Sequence, residues 1–368
     1  MAFIPILLVG IAGGALYMNG SRRPESPNMP QTNTSTPQTN MPETSKITSP
    51  FAKTNPFAQA NGQSPAPGWF SQPKQEAFLP GPVDVLVVKA MLAKGLSLPP
   101  EILDMIIDHA EYWPCTETSI EFSSANRPRI NGGGHGSSSE NTLLIRSPPI
   151  GFTQADIQDR EAWRNAPPSE SPSSEPISPE HFKTHLRAIP TLERPVRKVV
   201  FKLRSRDQAW GGSREHQQTY QGSWTWFEAG LERFETPNGE DEPEITRPFD
   251  TASLRPVYPT GEAVTKPNGQ REIKYPLNPD EMHTIQRNRT AGRQMVDYEV
   301  VWRWTDDISP ESLEAERLEE MGRGKASGSG EFVRNLRLGD VVSIWGKARF
   351  LGWANNVERA SVQVYWAL

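Results

Sequence analysis

One cysteine, Cys115, stands in 368 residues, so the fold has no intrachain disulfide framework and no site built on several thiolates. Charge of one sign is missing as well: 39 basic and 44 acidic residues leave a net charge of −5, and no block of like charge interrupts the chain. That excludes a binder that neutralises phosphates over a concentrated basic surface, and no nucleic-acid partner is expected. Hydrophobic residues make up 35% of the chain, against the usual figure of about 45–50%. A single tight core spanning the whole length is therefore ruled out.

Proline and tryptophan are what the chain has in excess. Of 35 prolines, twelve fall between Gly20 and Pro82, mixed with Asn, Thr, Ser and Gln and with apolar residues in no period. Such a segment cannot bury enough apolar surface to offset its ordering entropy, so residues 20–82 are expected to form a disordered tether. Ahead of it, residues 2–18 carry no charge, and Arg22 and Arg23 follow. A cleaved signal peptide would want a positive n-region, which is absent, and a buried core helix would not lead straight into a tether. A signal anchor over 1–19 fits best, with the arginines holding the rest of the chain on the cytosolic side. The membrane would be the mitochondrial outer membrane or the endoplasmic reticulum. The sequons at Asn33 and Asn288 matter only if the chain faces a secretory lumen.

Order resumes near Val83. Val85, Leu86, Val88 and Leu92 suit a short helix stopped at Gly95. A second helix is better specified: Pro99 and Pro100 stand at its start, Glu101 in its first turn, and Ile102, Leu103, Ile106, Ile107 and Ala110 at helical spacing. The run Leu98-Pro99-Pro100-Glu101-Ile102-Leu103 resembles the opening helix of an F-box. In that family the pattern begins a helical module that binds the Skp1 adaptor of ubiquitin ligases. The resemblance covers about fifteen residues and implies such an adaptor as partner, with Leu98, Pro99, Ile102 and Leu103 gripping it. The pattern itself supports another reading. A stripe made by Ile102, Ile106 and Ala110 and widened by Leu103 and Ile107 is as broad as one helix needs to dock on its own domain. That reading leaves little for a partner and predicts no stable adaptor complex.

From residue 115 onward, period-2 alternation recurs. Arg197–Arg204 places Val199, Phe201 and Leu203 on one face, and Met295–Asp306 alternates longest, through Val296, Tyr298, Val300, Trp302 and Trp304. Thr118–Ser123, Asn141–Arg146, Ser223–Ala229, Val341–Phe350 and Ser361–Leu368 complete about seven candidate strands. Alternation with one polar face marks antiparallel sheets packed on one side. The expected fold is mainly β: a jelly-roll-like antiparallel sandwich over 115–368, with a few peripheral helices and a Pro/Ser insert, 166–179, looping out on its surface. Ser205–Gly212, Gly222–Glu228, Leu338–Trp345 and Val364–Ala367 are together similar to a signature of filamentous-fungal proteins that combine an F-box-like helix with a Trp-rich β domain. That resemblance implies a shared fold over about 98–368 and brings no activity with it.

Few constellations invite chemistry. Gly322–Gly330 departs from a phosphate loop, since Ala326 follows Lys325, and reads as a flexible loop. His181 and His185 share a helix face, but Phe182 occupies the place of the metalloprotease glutamate, and no metal or other cofactor is expected. His135 and Ser137 lack a nucleophile elbow. Asp207, Trp210, Trp224, Trp226 and Glu228 form the best remaining cluster. Aromatic faces can stack on sugar rings while carboxylates accept from hydroxyls, and the competing reading puts these tryptophans in the sandwich core. The function expected is that of a membrane-tethered, non-enzymatic interaction or adaptor protein with an unidentified protein partner. The alternatives are a carbohydrate- or ligand-binding sandwich and an F-box-like substrate adaptor.

Overall fold

The computed structural model describes residues 78–170, 175–235 and 249–368. The expected anchor, the tether up to residue 77 and residues 171–174 of the insert lie outside them. Among the described residues no helix is long and apolar enough to cross a membrane.

Two helices come first, α1 (Pro82–Leu96) and α2 (Pro100–His109). Ser97, at φ 51°, closes α1 in the left-handed conformation, and Pro100 fits the first turn of α2, whose amide needs no partner. Strands β1 (Cys115–Glu121), β2 (Arg129–Asn131) and β3 (Asn141–Arg146) follow. Short helices α3 (Arg160–Asn165) and α4 (Pro179–Lys183) precede the long strands β4 (Val196–Arg206) and β5 (Thr225–Phe234). Next come β6 (Leu254–Tyr258), a hairpin of β7 (Glu262–Thr265) and β8 (Arg271–Lys274), β9 (Thr284–Arg287) and β10 (Val296–Arg303). Helices α5 (Leu313–Glu320) and α6 (Glu331–Arg334) lead to β11 (Val341–Ala348) and β12 (Ala354–Trp366).

The strands form two five-stranded antiparallel sheets and the small β7–β8 ribbon. Sheet A runs β1-β12-β4-β10, with β2 also on β12. Sheet B runs β3-β11-β5-β6, with β9 also on β5. The pairs are nested: β1 with β12, β3 with β11, β4 with β10 and β5 with β9. Alternation decides which side chains meet between the sheets. Val199, Phe201 and Leu203 of β4 and Val300 and Trp302 of β10 pack in one cluster with Phe227, Ala229, Val342 and Ile344 of sheet B. Trp302, 2% exposed, sets its ring edge-on to Phe201 and Phe332, with centroids 4.9 and 5.1 Å away. The mainly antiparallel, sandwich-like β architecture expected from the alternation is therefore present.

Several local expectations are corrected. The span β6–β9 carries no clear alternation and includes Pro256, so its strands were not foreseen. The insert is not wholly a surface loop, because the Ile177 amide donates to the Phe234 carbonyl at 2.8 Å and its side chain joins a second cluster with Phe182, Phe234 and Leu338. The 322–330 segment is packed rather than free. The Gly324 and Ala326 amides bond the carbonyls of Thr284 and Glu281, each at 3.0 Å, and Ser327 is buried. Asn288 is also fully buried: it accepts from Ser205 and donates to Thr225 and Asn355. A glycan there is incompatible with the fold.

Candidate functional site

The structure separates the five residues expected to line a ligand surface. Asp207, Trp226 and Glu228 are buried, Trp224 is half-buried and Trp210 is 60% exposed. Asp207 braces a loop, accepting from the amides of Ala209 at 2.8 Å and Ala291 at 2.5 Å. Burial pushes its carboxyl above the ordinary range, against those amides. Trp226 and Glu228 project from β5 on the face of sheet B opposite the core. The ligand-surface reading is thus corrected for Asp207, Trp226 and Glu228, which ligand cannot reach, while Trp210 and Trp224 remain at a surface.

That outer face of sheet B is polar yet enclosed. Along β5 it carries Trp226, Glu228, Gly230 and Glu232, and along β11 Ser343, Trp345 and Lys347, all buried or without a side chain. Gly230 is required there, because a Cβ would lie 2.2 Å from the Ser343 hydroxyl and 2.6 Å from the Trp345 indole nitrogen. Four donors converge on Glu228. Trp226 Nε1 at 2.7 Å and the Asp280 amide at 3.2 Å reach Oε1, while Tyr258 Oη at 2.6 Å and Lys347 Nζ at 2.5 Å reach Oε2. A carboxylate has about four lone-pair sites, so none remains to take a proton from a substrate. Burial alone would raise this carboxyl, but the Lys347 charge and the hydrogen bonds hold it below the ordinary glutamate range. Burial also draws Lys347 below the ordinary lysine range, against the pull of Glu228. Four donors on one carboxylate require the anion, and the charged pair is the state that satisfies them. Arg146 makes a second buried pair, bidentate to Glu232 at 2.6 and 2.9 Å. The cover comes from the β6–β9 span: Tyr258 stacks on His283 at 3.6 Å, and Tyr275 packs against Trp345.

The helical hairpin shows the opposite pattern. Of the expected docking stripe on α2, only Leu103 and Ile107 are buried, while Ile102, Ile106 and Ala110 face outward. Val85 alone is buried on α1, with Val88 and Leu92 packed against the core. Outward, α1 presents Val83, Leu86, Val87 and Met91, and α2 adds Ile102, Met105 and Ile106; Met91 is 68% and Met105 66% exposed. Of the residues expected to grip an adaptor, Pro99 and Ile102 are exposed, Leu98 is half-buried and Leu103 is turned into the fold. Polar contacts lock the hairpin to the sandwich. Asp108 is bidentate to Arg197 at 2.8 and 3.0 Å, and Glu111 bonds Lys198 at 2.8 Å and Arg303 at 2.5 Å. Burial would raise the Asp108 carboxyl, but Arg197 and the Trp113 indole hold it below its usual value. A groove of about 600 Å³ lies between α2 and the end of β10, lined by Met105, His109, Trp113 and Trp304.

The remaining candidate sites differ in how far the chain itself occupies them. The glycine loop turns three amides, of Gly133, Gly134 and Gly136, onto the buried Glu140 carboxylate at 2.5–2.7 Å, so its anion cradle is occupied by the chain itself. An open cleft of about 680 Å³ runs between Phe122, Leu143 and Ile273. Of its basic rim, Arg271 pairs with Glu170 and Lys266 with Glu272. His181 and His185 sit with ring centroids 5.3 Å apart, and among the described residues no group of three or more metal-ligating side chains forms. No family model, curated protein or solved structure matches the chain.

Proposed function

We propose that this protein is a membrane-tethered adaptor whose partner-binding surface is the α1–α2 hairpin with the groove beside it. One observation carries the reading. α1 carries only Asp84, Lys89 and Lys94 as charged residues and leaves Val83, Leu86, Val87 and Met91 in solvent, and α2 adds Ile102, Met105 and Ile106 to the same hairpin. Large apolar side chains exposed in this number on one hairpin are the mark of an interaction surface. The charge-free run 2–18 and the arginines after it support the tether and the cytosolic side. The nested strand order supports reading the scaffold as a jelly roll, which closes two sheets on one core and takes only the inward side of the hairpin, Val85, Leu103 and Ile107, into the fold.

The F-box resemblance names a specific partner for this surface, the ligase adaptor. Of the four side chains that pattern would need outward, Pro99 and Ile102 are exposed, with Met105 and Ile106 beside them, while Leu98 is half-buried and Leu103 is buried. The wide-stripe argument against a partner falls with the exposure of Ile102 and Ile106. The test uses full-length protein in its membrane with a photo-crosslinking residue at Met91 or Met105. Both positions should give one discrete crosslinked partner, lost on Val87→Glu, while the same probe at Glu121 gives none. Products confined to the chain itself at both positions would sink the adaptor reading. Binding of purified Skp1-type adaptor, lost with Ile106→Glu, would fix the partner's class.

A further inference from the structure

The open cleft of about 680 Å³ beside Phe122, Leu143 and Ile273 is bounded by two strand edges. Strand β3 is the last of sheet B, and its consecutive residues Asn141, Thr142, Leu143 and Leu144 all line the cleft. Side chains of a strand alternate between its faces, so a run of neighbours lines one cleft only where the cleft meets the strand along its edge. The same holds for β8, which contributes Arg271, Glu272 and Ile273, while its ribbon partner β7 contributes none. Among the described residues, the backbones of residues 142–144 and 271–273 bond no strand other than β11 and β7. Two rows of amides and carbonyls therefore stand open on one cleft.

That cleft has a closed end and a basic end. Before β3 begins, the Tyr275 amide bonds the Gly136 carbonyl at 2.8 Å and Lys274 Nζ bonds the Gly134 carbonyl at 3.1 Å, which ties the end of β8 to the loop ahead of β3. At the far end of β3, Arg146 Nη1 bonds the Ala166 carbonyl at 2.6 Å, and α3 delivers Arg164 beside it. Three cations, Arg164, Lys266 and Arg271, line the cleft against one carboxylate, Glu272. Glu272 is already shared between Lys266 at 3.3 Å and Lys274 at 3.2 Å, and Arg271 holds the exposed Glu170 at 3.3 Å. Arg164 is exposed and has no ion pair among the described residues. Part-buried Ile120, Phe122 and Ile273 supply apolar walls between the two ends.

An open strand edge is a template for another extended chain. Its donors and acceptors repeat at a step that a polypeptide backbone matches and that lipid or sugar does not. We propose that this cleft takes an acidic, extended peptide of a client protein as an added strand between β3 and β8, by strand addition. Its apolar side chains would lie against Ile120 and Phe122, and its carboxylate would meet Arg164. Leu144 has no opposite number on β11 and bulges the edge, so the paired stretch is short, roughly four residues or ~13 Å. The inference goes beyond the hairpin reading, and either can fail without the other.

The test adds a fluorescent peptide, Glu-Glu-Val-Thr-Val-Thr-Val, to full-length protein in nanodiscs and follows anisotropy and amide hydrogen exchange. The peptide should saturate below millimolar concentration and slow exchange in residues 141–144 and 271–273. A counterpart with lysine in place of both glutamates should bind more weakly. Arg164→Glu should weaken the acidic peptide by about fivefold, the worth of a partly exposed ion pair. The same change should strengthen the lysine peptide, an exchange of preference that a variant failing to fold cannot show. Methylating alternate peptide nitrogens along either edge should weaken binding, and Met91→Glu on the hairpin should change nothing. Saturation by neither peptide overturns the proposal. So does a preference unchanged in Arg164→Glu, or binding that tolerates methylation of either edge. Protection of residues 141–144 that rises with protein concentration in the absence of peptide would give the edge to a second copy of the chain and overturn it as well.

Discussion

The α1–α2 hairpin and the outer face of sheet B invert each other's composition. The hairpin leaves Val83, Val87, Met91 and Met105 in solvent, while the sheet encloses Arg146, Glu228, Glu232 and Lys347. Each arrangement is costly alone and stable for a different reason. The enclosed charges are matched donor to acceptor, so the desolvation of each is offset by a partner. The exposed apolar residues have no partner within the described chain. The difference teaches where to look for function: the charged network is complete, and the hairpin is incomplete. Charge points to chemistry only where some lone pair or proton is left unspent.

The comparison can be broken first at its buried side. Lys347→Ala leaves Glu228 enclosed without its counter-ion and should cost about 3–5 kcal/mol of stability. The double change Lys347→Met with Glu228→Gln should recover much of that loss. Denaturant midpoints measure both, and a cost below about 1 kcal/mol for the single change would mean that water reaches the pair. Next in size, Leu103→Ala removes a side chain that docks α2 and should cost about 2–5 kcal/mol. On the opposite side of the same helix, Met105→Glu should shift stability by no more than about 0.5 kcal/mol. That contrast within one helix sharpens the division between its docked and exposed faces.

Acid provides a finer probe. Glu228 has its folded carboxyl held below the ordinary glutamate value, so it contributes stability that is present above that value, near pH 4.3. The contribution is lost as pH falls through the folded value. Wild-type protein should therefore lose stability steeply below about pH 4.3, and Glu228→Gln should flatten that slope. An unchanged slope in the variant would place the acid-sensitive groups elsewhere, for instance at Asp108, which is depressed in the same direction.

Alternation made the long strands legible. Asn141–Arg146 matches β3 at both ends, and the inward set Val199, Phe201 and Leu203 lies where its spacing put it. A period of two states which residues share a face, as Trp226 and Glu228 of β5 do. It does not state what lies over the face. The cover comes from Tyr258, Tyr275 and His283, on strands too short and irregular to show a period. On α2 the stripe was real but its width misled. Helix α1 and the sandwich need only Leu103 and Ile107, and Ile102 and Ile106 lie round the helix from them. Phe350 and Leu351 gave no signal at all, because their exposure comes from a left-handed turn that no hydrophobic pattern records. Asp207 and Trp210 did stand out, through a polar–aromatic mixture in a glycine-rich loop.

The nested strand order sets a timetable for biosynthesis. In sheet A, β12 lies between β1 and β4, so that sheet has no centre until the whole chain between Glu121 and Ala354 has been made. At the usual rates of translation, roughly 5–20 residues per second, that wait is on the order of 10–50 s. Throughout it, β1 has an open edge and no register to adopt, β4 has only β10 to pair with once Arg303 is made, and the apolar hairpin is already outside with them. Nascent chains of this protein should therefore depend on chaperones that shield strand edges, and truncations ending before Ala354 should be degraded rather than accumulate as a smaller folded domain.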